Sequence, residues 1–306
     1  MLDNCNREIK HIRLSVTSEC NYNCIYCDKE GNNPKNNILT VDEIAKLTQI
    51  LAEILKVKRI KITGGEPLCR ENIVHIVKKI HNLNLYNDIS MVTNGFYLYE
   101  KIEELYKAGL NRINVSLCSL KPTIFSKITG SNSLNKVLKG LNKAKNVGIY
   151  PIKLNYVILR GLNEKEFEDI VKFSSQKGYI LQLIELHKLP FSNGEEQEFY
   201  RKYYYNINHI MEDLKSRAID IITRDEMQNR KVYILPDNAI IETIAPNPEF
   251  CMRCTKLRVG CDGNLFGCLY HSDMGRNLKT ELYNYNSLSK YESIIKNVVN
   301  SREPYY

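Results

Sequence analysis

Six short apolar runs alternate with longer amphipathic segments between residues 12 and 186, and this rhythm limits the fold more than any other feature. The runs are IRLSVT, RIKITGG, DISMVTNG, RINVSL, IKLNYVIL and ILQLIEL. The segments between them have the apolar spacing of helices, and three of them end at glycine, which commonly follows a helix. Strands that alternate with helices build right-handed βαβ units and a parallel sheet. The pattern is typical of a partial (β/α) barrel or of a doubly wound sheet.

The helix after the first strand has a predictable start at Thr40. Thr40 precedes VDEIAKLTQILAEIL, and Glu43 lies three residues further on. Side chains at these two positions can each accept a backbone N–H from the other residue. We therefore expect a capping box here.

The rhythm changes near residue 190, where we place a domain boundary. Residues 200–217 are predicted to form one helix rich in tyrosine, and KVYILPDNAIIETIA is predicted to be a β region. The prediction is a barrel domain over residues 1–190 and a C-terminal region over residues 191–306.

Hydropathy excludes a membrane span, while charge gives little guidance about partners. No apolar run approaches the roughly 18 residues that a membrane span requires. The opening MLDNCNREIK lacks the apolar segment of a secretory signal, so we expect a cytoplasmic protein. The net charge of +8 is spread along the chain without a basic block. A solvated surface is the simplest interpretation, and a few buried cations could serve a phosphorylated small molecule.

Three cysteines crowd into CNYNCIYC, namely Cys20, Cys24 and Cys27. A closed zinc site needs four ligands and disulfides form in pairs, so three thiolates leave a coordination shell unfinished. Three thiolates can hold three irons of a [4Fe–4S] cluster and leave the fourth iron open for another ligand. The alternatives are a zinc site completed by a distant histidine, and unrelated buried thiols.

A second set of three follows in CMRCTKLRVGCDGNLFGC, namely Cys251, Cys254 and Cys268. An auxiliary cluster with another open iron is the direct interpretation, and a zinc site completed by His271 is the alternative. Cys261 lies within the same segment. It is either a fourth thiolate that would close the second shell or a residue of the turn before DGN.

Other unusual residues follow the predicted strands at the same end. Cys20 follows IRLSVT, GGEP follows RIKIT, TNG follows DISMV, and Ser116 ends RINVS. Ligands of parallel α/β folds bind at the carboxyl ends of the strands. We therefore expect these motifs to share one face.

The spacing of CNYNCIYC, with Tyr26 before the last cysteine, resembles the signature of the radical S-adenosylmethionine (SAM) superfamily. In that superfamily SAM chelates the open iron, and its reductive cleavage gives a 5′-deoxyadenosyl radical that takes a hydrogen atom from the substrate. The resemblance implies that Cys20, Cys24 and Cys27 are the catalytic ligands. It implies that the cofactor is bound by Tyr26, Gly64, Gly65, Glu66, Thr93, Asn94 and Ser116.

Longer blocks resemble the GTP 3′,8-cyclase family of molybdenum cofactor biosynthesis, in that family's order. They are IRLSVTSECNYNCIYC, RIKITGGEPLCRENI, INVSLCSLKPTIFSKITG, IKLNYVILRGLNEKE and EFCMRCTKLRVGCDGNLFGCLY. LQLIEL, an RK-Y segment before the second cysteine set, and REPY resemble the archaeal-type branch. The resemblance implies a partial (β/α)6 TIM-type barrel with a C-terminal extension. It also implies two [4Fe–4S] clusters, and SAM as a further cofactor.

The implied activity converts GTP to (8S)-3′,8-cyclo-7,8-dihydroguanosine 5′-triphosphate, the first step of molybdopterin biosynthesis. The guanine would bind the open iron of the second cluster. By motif position the triphosphate would be bound by Arg13, Arg59, Lys61, Lys153, Lys256 and Arg258. Arg13, Lys61 and Lys153 interrupt apolar strand runs, where an unpaired cation is costly.

The resemblance also implies partners. They are a low-potential electron donor such as ferredoxin or flavodoxin, and the downstream cyclic pyranopterin monophosphate synthase. It allows a homodimer, and it implies neither nucleic acid nor a membrane. The alternative function is a related two-cluster radical SAM enzyme that acts on a peptide or another nucleotide. A non-enzymatic electron carrier or nucleic-acid-binding module would need neither GGEP nor a cofactor-sized barrel.

Three features depart from the bacterial branch of the family. The chain ends in SREPYY, without the Gly-Gly tail of many bacterial members. Gln182 stands near a position that carries arginine in that branch. Cys118 and Cys261 stand where the family more often has aspartate or histidine, and serine, respectively.

Overall fold

A computed structural model describes residues 1–28, 37–188, 194–269, 271, 275–284 and 288–304. Six parallel strands follow one another in chain order across the sheet. They are β1 (His11–Ser15), β2 (Arg59–Thr63), β3 (Asp88–Thr93), β4 (Arg112–Ser116), β5 (Ile152–Ile158) and β6 (Ile180–Glu185). The six strand-like runs of the sequence are thereby confirmed as strands.

Helices connect these strands as the alternation predicts. They are α1 (Val41–Leu55), α2 (Ile73–Asn82), α3 (Leu98–Lys107), α4 (Pro122–Thr129), α5 (Leu134–Val147) and α6 (Phe167–Lys177). The capping box is confirmed, because Thr40 Oγ1 accepts the Glu43 N–H at 3.2 Å and Glu43 Oε2 accepts the Thr40 N–H at 2.6 Å.

The strands of the C-terminal region extend the same sheet at both ends. They are β7 (Asp220–Arg224), β8 (Arg230–Ile234), β9 (Ile240–Ile244), β10 (Lys256–Val259), β11 (Asn264–Phe266) and β12 (Arg276–Asn277). β9 pairs in parallel with β6, and β10 pairs in parallel with β1. The order is β12-β11-β10-β1-β2-β3-β4-β5-β6-β9-β8-β7. The predicted boundary at residue 190 lies outside the described residues and stays a prediction.

The prediction of one helix over residues 200–217 is wrong. Two helices form instead, α7 (Gly194–Tyr203) and α8 (Asn208–Arg217). The buried Glu185 carboxylate at the end of β6 accepts the Ile207 N–H at 3.1 Å, and Asn206 Oδ1 accepts the Asn208 N–H at 2.8 Å. These side chains take N–H groups that a continuous helix would have bonded to its own carbonyls. Three further helices follow, α9 (Pro248–Met252), α10 (Glu281–Asn284) and α11 (Leu288–Asn300).

The sheet has an apolar face toward the helices and a polar face toward the barrel interior. Ile12 and Leu14 of β1 and Ile62 of β2 belong to the hydrophobic core. Side chains alternate along a strand, so the residues between them project from the opposite face. The polar row on that face includes Arg258, Arg13, Lys61, Ser90, Asn114, Asn155, Gln182 and Glu242, one from each of eight adjacent strands. A polar interior is what a binding chamber requires, and a packed barrel core would be apolar.

Gly65, at the carboxyl end of β2, holds the loop that carries the first cysteines. The Gly65 N–H donates to the Thr17 carbonyl at 2.8 Å, and the Glu66 N–H donates to the Glu19 carbonyl at 2.7 Å. A Cβ on residue 65 would lie 2.3 Å from the Glu19 carbonyl oxygen. Glycine is therefore required for this close approach.

We expect Gly65→Ala to displace the cysteine loop and to lower the free energy of unfolding by about 3 kcal/mol. Urea unfolding and iron content after anaerobic reconstitution measure the two effects. Gly161→Ala is the control, because its positive φ gives some backbone strain but its Cβ would meet nothing within 4 Å. Equal stability and equal iron content in both variants would contradict the assignment.

Candidate active site

Both cysteine sets line one cavity inside the barrel, the first set beyond the carboxyl end of β1 and the second set at the amino end of β10, which begins beside the start of β1. Its volume is about 580 Å³, within the range of small-molecule sites. The cysteines are Cys20, Cys24, Cys27, Cys251, Cys254 and Cys268. The cavity is also lined by every other site residue predicted from the sequence except Lys153, namely Tyr26, Gly64, Gly65, Glu66, Thr93, Asn94, Ser116, Arg13, Arg59, Lys61, Lys256 and Arg258.

The first cysteine loop follows β1 and is held by backbone hydrogen bonds to the end of α4. The N–H groups of Asn23 and Ile25 donate to the carbonyls of Thr129 and Ile128, each at 3.0 Å. The Tyr22 N–H points to the sulfur of the first cysteine at 3.4 Å. The three cysteines are thiols and form no disulfide, and burial raises the pKa of the second, Cys24, to about 12. Binding of a metal must therefore displace protons from the loop.

This donor set fits a cluster that opens on the cavity. The three thiols form no disulfide, and Cys20 and Cys27 are exposed. Among the residues that the structure describes, no three His, Cys, Asp or Glu side chains converge on a single-ion site. In a [4Fe–4S] cluster each thiolate binds a different iron, so the sulfur atoms need not converge on one point.

Glu66 is the buried acid of the GGEP motif. Its Oε1 accepts from Thr93 Oγ1 at 2.7 Å and from the Leu68 N–H at 2.9 Å, and its Oε2 accepts from the Asn94 N–H at 2.6 Å. Burial, opposed by these hydrogen bonds, raises the pKa of Glu66 to about 7. A carboxylate held in this state gains from a cationic partner such as an ammonium group. The two strand-end motifs GGEP and TNG are thus joined by direct contacts.

The second cysteine set lies on α9 and on the segments before β10 and after β11. The Cys254 N–H donates to the Cys251 carbonyl at 3.1 Å. Burial alone would raise the pKa of Cys254, but the positive charges of Lys256 and Arg302 outweigh it and the pKa is lowered. The Cys254 thiol therefore loses its proton more readily, and the thiolate is the form that binds iron.

Cys261 and Cys118 are buried away from this cavity. Cys261 is in the turn after β10, and neither thiol is among the groups that line the cavity. The Cys261 carbonyl accepts the Leu39 N–H at 2.8 Å. This position favours the turn interpretation over a fourth cluster ligand.

Cations on the barrel wall make the cavity electropositive. Lys61 Nζ donates to Asn114 Oδ1 at 2.9 Å, and Lys256 Nζ donates to Gln228 Oε1 at 2.6 Å. Burial and neighbouring positive charges lower the pKa of both lysines well below the ordinary value. The pKa of His187, which also lines the cavity, is lowered to about 3 by burial and then by positive neighbours, of which Lys256 is the first. An anionic ligand would relieve this repulsion.

Two of the predicted substrate cations have carboxylate partners instead. Arg59 lies at the rim and bonds Glu226 at 2.8 Å. Lys153 is buried, lies off the lining of the cavity and contacts Glu242. Glu242 has no exposed surface and also pairs with two arginines, Arg230 and Arg224, each at 3.3 Å. The roles of Arg59 and Lys153 in substrate binding stay predictions.

Sequence reasoning missed Arg230, Glu242 and Arg302. Arg230 and Arg302 line the cavity, and Glu242 holds three cations beside it. Glu242 had a usable signal, because a lone acid inside the apolar strand IIETI must be paired. Arg302 had a signal only through the resemblance, because it begins the REPY block.

Two protein-family models match successive parts of the chain. "Radical SAM superfamily" matches residues 14–174, and "Molybdenum Cofactor Synthesis C" matches residues 179–306. A probable GTP 3′,8-cyclase of Methanocaldococcus jannaschii is 39% identical over 100% of this chain and 99% of that protein. One of Thermococcus kodakarensis is also 39% identical, over 100% of this chain and 99% of that protein.

The chain belongs to the GTP 3′,8-cyclase family of radical SAM proteins. Solved structures share the fold of this GTP 3′,8-cyclase family member at low sequence identity. Streptococcus suis SuiB bound to S-adenosylmethionine has a TM-score of 0.67 at 15% identity, over 93% of this chain and 66% of that one. Native anSMEcpe with bound AdoMet has a TM-score of 0.57 at 16% identity, over 92% of this chain and 82% of that one. The partial barrel with a C-terminal extension is thereby confirmed. Within the described ranges, no helix has the length and apolar character to cross a membrane.

We expect Cys261→Ser to leave the iron content and the iron–sulfur coordination of this family member unchanged, because the thiol lies off the cavity. Iron-edge X-ray absorption of the reconstituted protein is the measurement. Cys254→Ser is the control and should lose the signal of the second cluster. A changed coordination shell in the Cys261 variant would establish the fourth-ligand interpretation.

We expect Glu242→Gln to lower the free energy of unfolding by about 3–5 kcal/mol, because it leaves buried cations unpaired. Burial raises the pKa of Glu242, but Lys153 and the two arginines outweigh it and hold the pKa well below its usual range. The contribution is therefore complete above the unfolded-state value of about 4.3 and is lost as the pH falls below it.

Denaturant unfolding at pH 7 measures this loss. Glu168→Gln is the control, because its partnership with Arg217 is exposed and is worth about 1 kcal/mol at most. Equal losses in the two variants would contradict the special place of Glu242.

Proposed function

We propose that the protein is a radical SAM enzyme that converts GTP to (8S)-3′,8-cyclo-7,8-dihydroguanosine 5′-triphosphate, the first step of molybdenum cofactor biosynthesis. The observation that carries the proposal is one cavity lined by two three-cysteine sets and by buried cations. Full-length relatives named probable GTP 3′,8-cyclase support the same activity.

Each cysteine set holds one [4Fe–4S] cluster in this proposal, and S-adenosylmethionine completes the first. The bound cofactor supplies the 5′-deoxyadenosyl radical chemistry of the superfamily. The residues of the chain position S-adenosylmethionine and the substrate. Glu66 faces the cavity with a pKa near neutrality, so its carboxylate suits the amino group of methionine. Gly64, Thr93, Asn94 and Ser116 lie at neighbouring strand ends, where a ribose and a carboxylate can reach them.

The triphosphate is assigned to the cavity-facing cations. Arg13 is the register partner of Lys61 on one side and of Arg258 on the other, so three cations form a row on one face. Lys256 lies two residues before Arg258 on the same strand. Cations in low-dielectric surroundings attract phosphate more strongly than exposed cations do. Arg230 is added to the set because it is buried and lines the same wall.

A peptide substrate is the second candidate. Solved neighbours include SuiB bound to the precursor peptide SuiA. The row of Arg13, Lys61 and Arg258 weighs against a peptide here, because phosphate oxygens match three neighbouring cations and a neutral peptide does not. Another nucleotide would satisfy the same charges, and only product analysis separates it from GTP.

The remaining partners are part of the proposal. A low-potential donor such as ferredoxin or flavodoxin supplies electrons, and cyclic pyranopterin monophosphate synthase consumes the product. A cytoplasmic location and a homodimer complete it. Each follows from the family alone.

We expect the anaerobically reconstituted protein, given dithionite, S-adenosylmethionine and GTP, to form 5′-deoxyadenosine and a nucleotide isomeric with GTP. Mass spectrometry detects both products. Both should vanish in Cys24→Ala, because the first cluster loses a ligand. Deoxyadenosine without the isomer would retain the radical chemistry and exclude GTP as the substrate.

A further inference from the structure

A buried charge network joins the two ends of the chain beside the second cysteine set. Asp3 Oδ2 pairs with Arg7 Nε at 2.8 Å and with the Arg302 guanidinium at 3.0 Å. All three side chains are almost fully buried. Two guanidinium groups and one carboxylate leave one net positive charge in this network.

The two guanidinium groups hold the backbone of the second cysteine set. Arg7 donates to the Cys251 carbonyl at 2.9 Å, and Arg302 donates to the Cys254 carbonyl at 2.7 Å. Arg302 Nε also donates to the carbonyl of Gly267, the residue before the third cysteine, at 3.3 Å. The network therefore contacts the chain at or next to each of the three cysteines.

The packing around Arg302 is tight. A Cβ on residue 267 would lie 2.1 Å from Arg302 Cγ. The Arg302 carbonyl accepts from Arg7 at 2.9 Å, and Asp3 Oδ1 accepts the Arg7 N–H at 2.8 Å. Each guanidinium is thus fixed in orientation as well as in position. Both arginines line the cavity, so their charge acts on the site itself.

We propose that Asp3, Arg7 and Arg302 form a positioning network that sets the geometry and the reduction potential of the second cluster. A cluster becomes more negative when it is reduced, so a fixed positive charge beside it raises the potential. The carbonyls that accept from the arginines fix the loops from which the thiolates project. The inference rests on the proposed second cluster and does not depend on GTP being the substrate.

The test isolates the second cluster in a Cys24→Ala protein, reconstituted anaerobically with iron and sulfide. Its potential is measured by redox titration followed by electron paramagnetic resonance. Arg302→Met should shift the potential to more negative values, because it removes a buried cation. Asp3→Asn keeps the shape of the side chain and removes the anion, so the potential should shift the opposite way. Arg302→Lys keeps the charge, so the potential should lie close to that of the parent. Its g values should change, because lysine lacks the second donor group of the guanidinium.

Arg253→Met is the matched control, because Arg253 is adjacent to Cys254 in sequence but is exposed and pairs with Glu249. It should leave the potential close to that of the parent. Opposite shifts of the potential in the Arg302 and Asp3 variants, larger than in the control, would support the network. A general loss of structure would not move the potential in opposite directions in the two variants. Unchanged potentials, or shifts of one sign, would overturn it. If Arg302→Met does not fold, the Asp3→Asn shift and the Arg302→Lys spectrum decide.

A parent protein that assembles no second cluster would overturn this inference together with the proposed cofactor set. A cluster that forms with unmoved potentials would overturn the network alone.

Discussion

The parallel pairing of β10 with β1 is the constraint on which the site depends. It continues the barrel sheet with a strand from the far end of the chain, in the register Ile12↔Leu257 and Arg13↔Arg258. Because β10 begins beside the start of β1, Cys254 lies at the amino end of the barrel, and the cavity reaches from there to the loop of Cys20 beyond the carboxyl end of β1. β9 continues the sheet at the other edge by pairing in parallel with β6. The second set thus belongs to the wall of the same chamber.

Electrostatics then gives that chamber its preference. A polar row crosses the inner face, with cations at one end and amides toward the other. The Asn114 amide bridges the two, because it accepts from Lys61 and donates to Asn155 and Gln182. Glu242 compensates the cations nearest β9, whereas burial, and after it positive neighbours, lower the pKa of Lys256 at the start of β10. These charges suit the phosphorylated ligand of the proposed function.

Much of this arrangement could be predicted from the sequence, because it depends on local patterns. Alternating apolar runs predicted the six parallel strands, and strand-end motifs predicted that Glu66 and Cys20 share a face. Contacts between distant segments could not be predicted in this way. The Glu185 carboxylate accepts the Ile207 N–H in the break between α7 and α8, and the two residues are 22 positions apart in the sequence. Arg302 is 299 residues from Asp3, and nothing in either local sequence indicates the pair.

In the proposed function, the second cluster keeps one iron open for the nucleotide in the chamber that it shares with the first. The most direct test is electron–nuclear double resonance of the second cluster in the Cys24→Ala protein, with GTP whose guanine is labelled with ¹⁵N. We expect a ¹⁵N coupling that appears with labelled GTP and is absent when the nucleotide is unlabelled or omitted. A spectrum that is identical with and without labelled GTP, at a concentration where binding is shown independently, would contradict it.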